Sequence, residues 1–220
     1  MFSTYTTLMI IGGIFWSITY ILIIRQGYKD KTYSMPLAAL CANISWEAIF
    51  SFIHPHSPPQ LYINYAWFIL DVLIVFQFLK FGKSEFPNFS IKQFIASFVF
   101  ALVLAFCSVL FISYEFNDWK GAYTAFGQNL MMSILFISML VNRNSLRGQS
   151  IYIAVFKMLG TGVSSLAFYL YQPISQGSLL MPFLYISIFV CDIIYLILIY
   201  QKYREHKLPV FGKIVGKIRK

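Results

Sequence analysis

The longest uninterrupted apolar run of this chain, IKQFIASFVFALVLAFCSVLFISY, extends from Ile91 to Tyr114 and indicates its fold class. After Lys92 it contains no charged residue, and it has the roughly 20 apolar residues that a helix needs to cross a bilayer. Only helices and closed barrels satisfy their backbone hydrogen bonds in lipid, and an apolar run this long is typical of a helix. It therefore predicts one transmembrane helix.

Six further apolar runs of similar length lie on either side of this one. Short breaks with prolines, glycines or charges separate the runs, and none is long enough for an inserted soluble domain. The predicted spans are Tyr5–Ile24, Met35–Ile53, Leu61–Leu79, Ile91–Tyr114, Ala122–Val141, Ile151–Tyr171 and Leu179–Tyr200. The sequence predicts an all-α bundle of seven transmembrane helices in residues 1–200 and a basic cytoplasmic tail in residues 201–220.

The overall composition agrees with a protein embedded in a membrane. Of 220 residues, 59% are hydrophobic and 11% are charged, whereas soluble domains carry about 25% charged residues. The mean hydropathy is +0.69. These values exclude a disordered chain, a nucleic-acid-binding protein and an ordinary soluble enzyme.

The net charge of +9 reports orientation rather than a partner. Fifteen of the 17 lysines and arginines flank the breaks after spans 1, 3 and 5 or lie in the tail, and the exceptions are Lys120 and Lys157. By the positive-inside rule, the N-terminus is outside and the C-terminus is cytoplasmic. The tail favours attachment to membrane lipids over docking to a protein, and the oligomeric state stays open.

Four ionisable residues fall inside the predicted spans: Glu47, Asp71, Lys157 and Asp192. A charge at the bilayer centre costs at least about 2.5–3.5 kcal/mol, so such residues indicate a functional site. Counted from nearby span ends, the three carboxyl groups lie about 14–16 Å deep. We expect them to converge on one cavity, where not all can be ionised and a retained proton suits a Brønsted acid. The alternative is polar pairs that lock helices together.

Aromatic and polar side chains adjoin these carboxyl groups or recur near them at helical spacing. An aromatic face attracts a cation, so an aromatic pocket around a buried acid suits a carbocation reaction. Packing is the alternative for either tryptophan taken alone. The candidate substrate-binding residues are Asn43, Trp46, Phe50, Trp67, Tyr185 and Tyr195.

Lys157 and a weak internal repeat lead to two further expectations. Lys157 lies near the basic end of its span, and we expect it to snorkel to the cytoplasmic interface, with a carboxylate pair as the alternative. Spans 3 and 7 end similarly, from Asp71 to Lys80 and from Asp192 to Lys202. This indicates a 3+1+3 parallel repeat with span 4 as connector, in which Asp71 and Asp192 face each other near the axis.

The sequence gives no sign of a metal or cofactor. The three cysteines, Cys41, Cys107 and Cys191, lie in apolar runs without metal-ligand spacing, and we expect free thiols. There is no aspartate-rich motif of the kind that ionises a prenyl diphosphate with magnesium. We therefore expect no metal and no cofactor.

Five segments resemble the integral-membrane terpene cyclases of fungal meroterpenoid and indole-diterpene pathways and their bacterial indole-sesquiterpenoid relatives. The similarity extends over nearly the whole chain and includes the number of spans. The segments are Asp30–Glu47 (DKTYSMPLAALCANISWE), Trp67–Asp71 (WFILD), Arg147–Ser150 (RGQS) with Leu159–Thr161 (LGT), and Asp192–Tyr195 (DIIY).

The resemblance implies an enzyme that protonates the terminal epoxide or alkene of a prenylated acceptor of farnesyl or geranylgeranyl type. A carbocation cascade follows, without metal or loss of diphosphate. The two acids regarded as essential in the family match Glu47 and Asp192. The resemblance implies that one donates the proton, for which we favour Glu47, and the other assists it, with Asp71 as a polar partner. Short loops and a Lys- and Ile-rich composition favour the inner membrane of a bacterium, or the endoplasmic reticulum in a eukaryote.

Two other classes of seven-helix protein are alternatives. A small transporter or proton-coupled carrier of the SWEET type also has a 3+1+3 arrangement. A transporter needs prolines within its spans, however, and only Pro182 lies well inside one. A retinal protein requires a lysine in span 7, whereas the lysine inside the membrane here, Lys157, is in span 6.

Overall fold

The computed structural model describes residues 3–210 and 213–214. Seven α-helices occupy most of this part of the chain, which confirms the predicted all-α bundle. They are α1 (Thr4–Asp30), α2 (Leu37–Ala48), α3 (Gln60–Phe81), α4 (Ile91–Glu115), α5 (Ala122–Arg143), α6 (Ile151–Tyr171) and α7 (Leu180–Glu205). Shorter elements are a π-helical turn at Ile49–Ile53, 3₁₀ turns at Gly82–Glu85 and Pro173–Ser175, and strands β1 (Pro209–Val210) and β2 (Lys213–Ile214).

Six of these helices are long and apolar enough to cross a membrane. The second helix is shorter, because α2 and its π-helical turn together cover only Leu37–Ile53. At 1.5 Å per residue this is about 25 Å, against a hydrocarbon core of about 30 Å. The chain is a multi-pass membrane protein in which α2 packs among α3, α4 and α5.

Two helices continue beyond their predicted spans. α1 extends past Ile24 to Asp30, and α7 extends past Tyr200 to Glu205. Hydropathy marks only the part of a helix that lies in lipid, whereas backbone hydrogen bonding continues through the polar interface. The predicted tail therefore begins within α7, and its residues 211–212 and 215–220 lie outside the described part. After α7, β1 and β2 pair in antiparallel fashion.

The helices pack in a pattern that fits the predicted repeat. α1 packs on α6 and α2 packs on α5, while α3 contacts α1 and α2 as α7 contacts α5 and α6. Exchanging α1–α3 with α5–α7 maps these contacts onto one another. α4 lies outside the pattern and packs mainly on α2.

The bundle is solid at one end and hollow at the other. The solid half adjoins the basic loops after α1, α3 and α5, and its buried side chains include Ile23, Leu40, Phe78, Phe136, Ile153 and Ile199. Polar contacts join these loops, because Asp30 Oδ2 accepts from the Gly148 backbone N–H at 2.7 Å and Arg147 pairs with Glu85. Two segments of the family resemblance thus meet there, and the opposite half contains a large cavity.

Candidate active site

A cavity of about 620 Å³ penetrates the hollow half of the bundle. Its walls come from α1, α2, α3, α5 and α6, and its mouth lies among the loops that precede α3, precede α5 and follow α6. The close approach of α1 and α6 forms one wall. A Cβ at Gly12 would lie 2.5 Å from Ser164 Oγ, and one at Gly160 would lie 2.8 Å from Trp16. Small residues therefore allow this contact.

Glu47 is the only carboxylic acid that lines this cavity in the described part of the chain. Its side chain neighbours that of Asp71, which is fully buried. Neither oxygen of Asp71 accepts a hydrogen bond from an N–H or hydroxyl group of the described residues. Two neighbouring carboxyl groups buried in a low dielectric cannot both ionise, so at least one keeps a proton. The geometry therefore indicates an acid pair that retains a proton.

A hydrogen-bonded chain connects this acid pair to the opposite wall. The Tyr20 hydroxyl donates to Glu47 Oε1 at 2.7 Å and accepts from Asn43 Nδ2 at 2.6 Å. Gln128 Nε2 then donates to Asn43 Oδ1 at 3.3 Å. All four residues line the cavity. Because Tyr20 donates to the carboxyl oxygen, it stabilises the charge that remains there once a proton has left.

Aromatic rings surround the inner part of the cavity. Tyr20 packs between Trp16 and Trp67, with ring centroids 6.0 Å and 6.2 Å away. The Trp67 indole N–H donates to Ser17 Oγ at 3.1 Å, which fixes the plane of that ring. Phe126 also lines the wall. These rings offer electron-rich faces next to the acid pair.

Trp46 forms the wall on the other side of Glu47. Its indole N–H donates to the Gly121 carbonyl at 2.9 Å, and its ring contacts Phe50 and His56. Gly121 has a φ of +60°, and a Cβ there would lie 2.6 Å from the Trp46 nitrogen. Only glycine combines this backbone conformation with such a close approach.

His56 belongs to the wall near the mouth. Asn64 Nδ2 donates to His56 Nδ1 at 3.0 Å, and the imidazole stacks on Phe50 at 4.9 Å. Burial lowers the pKa of His56 to about 4, and the charge of Lys120 adds to this effect against the opposing Lys120 backbone carbonyl. The ring is therefore neutral at physiological pH.

The structure separates the six predicted substrate-binding residues into two groups. Asn43, Trp46 and Trp67 line the cavity, as expected. Phe50 is fully buried behind Trp46, because the helix turns its ring toward α4 and the following loop rather than the cavity. Tyr185 lines a different cavity between α6 and α7, where its hydroxyl lies 2.8 Å from Ser175 Oγ.

Tyr195 and Asp192 likewise do not line the cavity of Glu47. Tyr195 is buried in the solid half, where its hydroxyl donates to Gln149 Oε1 at 3.0 Å. Asp192 faces the second cavity, of about 610 Å³, between α6 and α7. The expected convergence of three carboxyl groups is therefore wrong. The depth in the bilayer that the sequence predicted was similar for all three carboxyl groups. Depth along a helix, however, does not determine the direction in which a side chain points.

Lys157 is the partner of Asp192. Lys157 Nζ lies 2.7 Å from Asp192 Oδ1 and donates to Ser133 Oγ at 2.6 Å, and the lysine is fully buried. The expectation that it snorkels is wrong, because a carboxylate at hydrogen-bond distance compensates its charge inside the bundle. The expectation that Asp192 faces Asp71 is also wrong, since each aspartate has its own partner.

The cavity residues that the sequence-based predictions did not include are many, and Trp16, Tyr20 and Gln128 are those that matter most for the acid pair. All three lie in predicted spans without an acidic residue, so no carboxylate drew attention to them. Trp16 and Tyr20 are four residues apart and share a face with Gly12. That pattern would have indicated α1 as a wall. No group of three His, Cys, Asp or Glu residues with the geometry to hold a metal occurs in the described part.

Comparison with known proteins defines the class to which this fold and site belong. The model of a family described as Pyr4-like transmembrane terpene cyclases matches residues 2–205. The chain belongs to this family, which confirms the resemblance stated above and favours a cyclase over a transporter or a retinal protein. No solved structure matches the chain.

Curated relatives are fungal proteins of moderate similarity. The chain is 32% identical over 165 residues to the Pyr4-family terpene cyclase mfmH of Annulohypoxylon moriforme, which covers 73% of this chain and 68% of that protein. It is 30% identical over 161 residues to asnovolin H synthase nvfL of Aspergillus novofumigatus, covering 70% and 65%. Terpene cyclase pyr4 of Aspergillus fumigatus is 26% identical over 158 residues, covering 70% and 66%. The match thus spans about two thirds of the relatives.

Proposed function

We propose that this protein cyclises a lipophilic prenylated substrate by protonating its terminal epoxide or alkene inside the cavity. The observation that carries the proposal is the acid pair, in which Glu47 lines the cavity and Asp71 lies behind it. Family membership supports the reaction class. The apolar and aromatic cavity suits a farnesyl or geranylgeranyl chain, and no metal or cofactor takes part in the proposed reaction.

The first step transfers a proton from Glu47 to the substrate, while Asp71, which is also protonated at the start, keeps its own proton. With an epoxide, the proton goes to the ring oxygen and a C–O bond breaks; with an alkene, the π electrons form a new C–H bond. Either route leaves a tertiary carbocation on the prenyl chain and one negative charge on the acid pair. Asp71 and the Tyr20 hydroxyl stabilise that charge through hydrogen bonds.

Ring closure follows as the π electrons of neighbouring double bonds attack the cation. Trp16, Tyr20 and Trp67 line the cavity and stabilise the positive charge. Glu47 is 2% exposed, and this burial limits premature capture of the cation by bulk water. The reaction conserves the atoms of the substrate, as in an isomerase, when the final proton returns to the acid pair.

We assign Asp192 to a different role from the one that the resemblance implies. Its carboxylate is paired with Lys157 and lines a different cavity, so it does not contact a substrate bound beside Glu47. We propose that Asp192 compensates the buried lysine and keeps α6 and α7 in place. Its removal would then inactivate the enzyme through the fold.

The membrane context is part of the proposal. Most cations flank one end of the bundle, which supports a cytoplasmic location for that end and an outer location for the cavity mouth. Short loops and the Lys- and Ile-rich composition support the inner membrane of a bacterium. A lipophilic substrate can then enter from the bilayer.

The decisive experiment uses membranes that contain the full chain. They are incubated with farnesyl-aryl and geranylgeranyl-aryl substrates, each with and without a terminal epoxide, and products are identified by mass spectrometry and NMR. Loss of the general acid in Glu47→Gln should reduce turnover at least about 10²-fold. Glu115→Gln, at the exposed end of α4, is the matched control and should retain full turnover.

Two results would overturn this proposal. Product formation by Glu47→Gln at a near wild-type rate would exclude Glu47 as the acid, provided that the variant is present at normal abundance in the membrane. Loss of turnover on addition of EDTA, restored by a divalent metal ion, would contradict the proton-initiated mechanism without a metal.

A further inference from the structure

The mouth of the cavity carries a polar cluster that the proposed proton transfer does not use. It combines residues from three loops with the first turn of α3. Among the described residues that line the cavity, Lys120 is the only lysine or arginine. His56, Lys120 and Gln172 belong to this cluster.

Lys120 is held at the mouth by a single partner. Its ammonium group donates to Gln172 Oε1 at 3.2 Å, and the glutamine side chain is 8% exposed. An ammonium group has three N–H donors. No carboxylate of the described residues lies within ion-pair distance of this ammonium group.

Among the residues that line the cavity, Lys120 alone supplies a positive charge. His56 is the nearest other basic group in the lining, and its imidazole is neutral because burial and the lysine charge disfavour protonation. The His56 ring stacks on Phe50 and forms part of the wall of the cavity at its mouth. The mouth therefore has one cation on an otherwise aromatic and amide surface.

Lys120 and Gln128 lie at different levels of the cavity. Lys120 lies two residues before α5 begins, whereas Gln128, eight residues further on, belongs to the hydrogen-bonded chain that leads to Glu47. At 1.5 Å per residue, these levels are about 12 Å apart along α5. A substrate whose prenyl end reaches Glu47 can therefore extend its other end toward Lys120.

We propose that the mouth is a binding site for the acceptor group of the substrate and that Lys120 recognises an acidic oxygen on it. Phenol, enol and carboxylate oxygens share the required chemistry, because each accepts a strong hydrogen bond from an ammonium group. This inference rests on the proposed function and adds the class of acceptor to it. Gln172 positions the lysine, and the acceptor is fixed while the prenyl chain folds against the aromatic walls.

The test compares two substrates that differ only at the acceptor oxygen. One is a farnesyl-aryl epoxide with a free phenolic hydroxyl, and the other is its methyl ether. Lys120→Met should raise KM for the phenol about tenfold, as expected for loss of a hydrogen bond to a charged group. It should leave KM for the ether within about twofold and change kcat little for either. Lys29→Met, at the opposite end of the bundle, is the control.

Conservative substitution guards against a variant that fails to fold. Lys120→Arg keeps the charge and should keep the preference for the phenol, whereas Gln172→Leu should weaken that preference to a smaller degree. Equal KM changes for phenol and ether in Lys120→Met would overturn the proposal, as would no change for the phenol. If Glu47→Gln turns over both substrates normally, the proposed function fails instead, so the two failures are distinguishable.

Discussion

The two halves of the bundle build the same polar arrangement from different residues. Each half joins one side chain from each of three successive helices, and each arrangement ends in an aspartate. In α1–α3 the three are Tyr20, Glu47 and Asp71, and in α5–α7 they are Ser133, Lys157 and Asp192. The main difference is the middle position, where a glutamic acid in one half corresponds to a lysine in the other.

The difference at the middle position gives the first half a pair of acids and the second half an ion pair. Two acids side by side cannot both ionise in a low-dielectric site, so they retain a proton that can be donated. A lysine and an aspartate instead form an ion pair that is complete without a further proton. The lining of the cavity agrees with this difference, because it includes Glu47 but not Asp192. A repeat can therefore supply one reactive site and one structural site.

The ion pair of the second half offers the largest expected effect. Breaking a buried ion pair by removing one partner costs about 3–5 kcal/mol, because a charge is left uncompensated. Lys157→Met and Asp192→Asn should each lower membrane abundance and thermal stability sharply. The double variant should recover both, and should also recover turnover.

Turnover of that double variant separates the two roles considered for Asp192. A double variant that is stable but inactive would show that Asp192 takes a direct part in catalysis, as the family resemblance implies. Thermal unfolding in detergent and product formation by the same preparation provide both measurements.

A smaller effect is expected from the tyrosines of the two halves. Tyr20→Phe removes the donor to Glu47 Oε1 and should lower kcat about tenfold, the value of a hydrogen bond to a charged group. Tyr195→Phe removes a hydroxyl from the solid half and should leave kcat unchanged. A lower kcat in Tyr195→Phe at normal stability would support the sequence-based prediction that this residue binds substrate.

The smallest effect concerns the aromatic wall of α3. Trp67→Leu should lower kcat about threefold to tenfold and increase the share of incompletely cyclised products, because a ring facing the cation is lost. Phe76→Leu, on the exposed face of the same helix, is the control and should have no effect. If Trp67→Leu leaves the product pattern unchanged, the Trp67 ring contributes only to packing.

Much of the fold could be predicted because its signals are local. Apolar runs mark the spans, and the placement of lysines and arginines separates the two ends of the bundle. Helix ends were less accurate, as in α1 and α7, since the backbone remains helical after hydropathy falls. The resemblance carried by Asp30–Glu47 and four shorter segments also led to the correct family.

The candidate site was only partly predictable. Buried charges are costly, so the sequence alone identified Glu47, Asp71, Lys157 and Asp192 as residues that need a special environment. Only the tertiary structure decided their partners, because a helix presents different faces to different neighbours. It paired Glu47 with Asp71 and Lys157 with Asp192.

The sequence by itself thus determined that the chain spans the membrane and that a few carboxyl groups lie inside it. These properties depend on the free energy of transferring each segment into lipid, which the composition of that segment determines. Only the tertiary structure decided that Trp16, Tyr20 and Gln128 meet Glu47 around one cavity while Tyr195 and Asp192 lie elsewhere. Which residues line the same cavity depends on how the helices pack against one another, and hydropathy does not determine that packing.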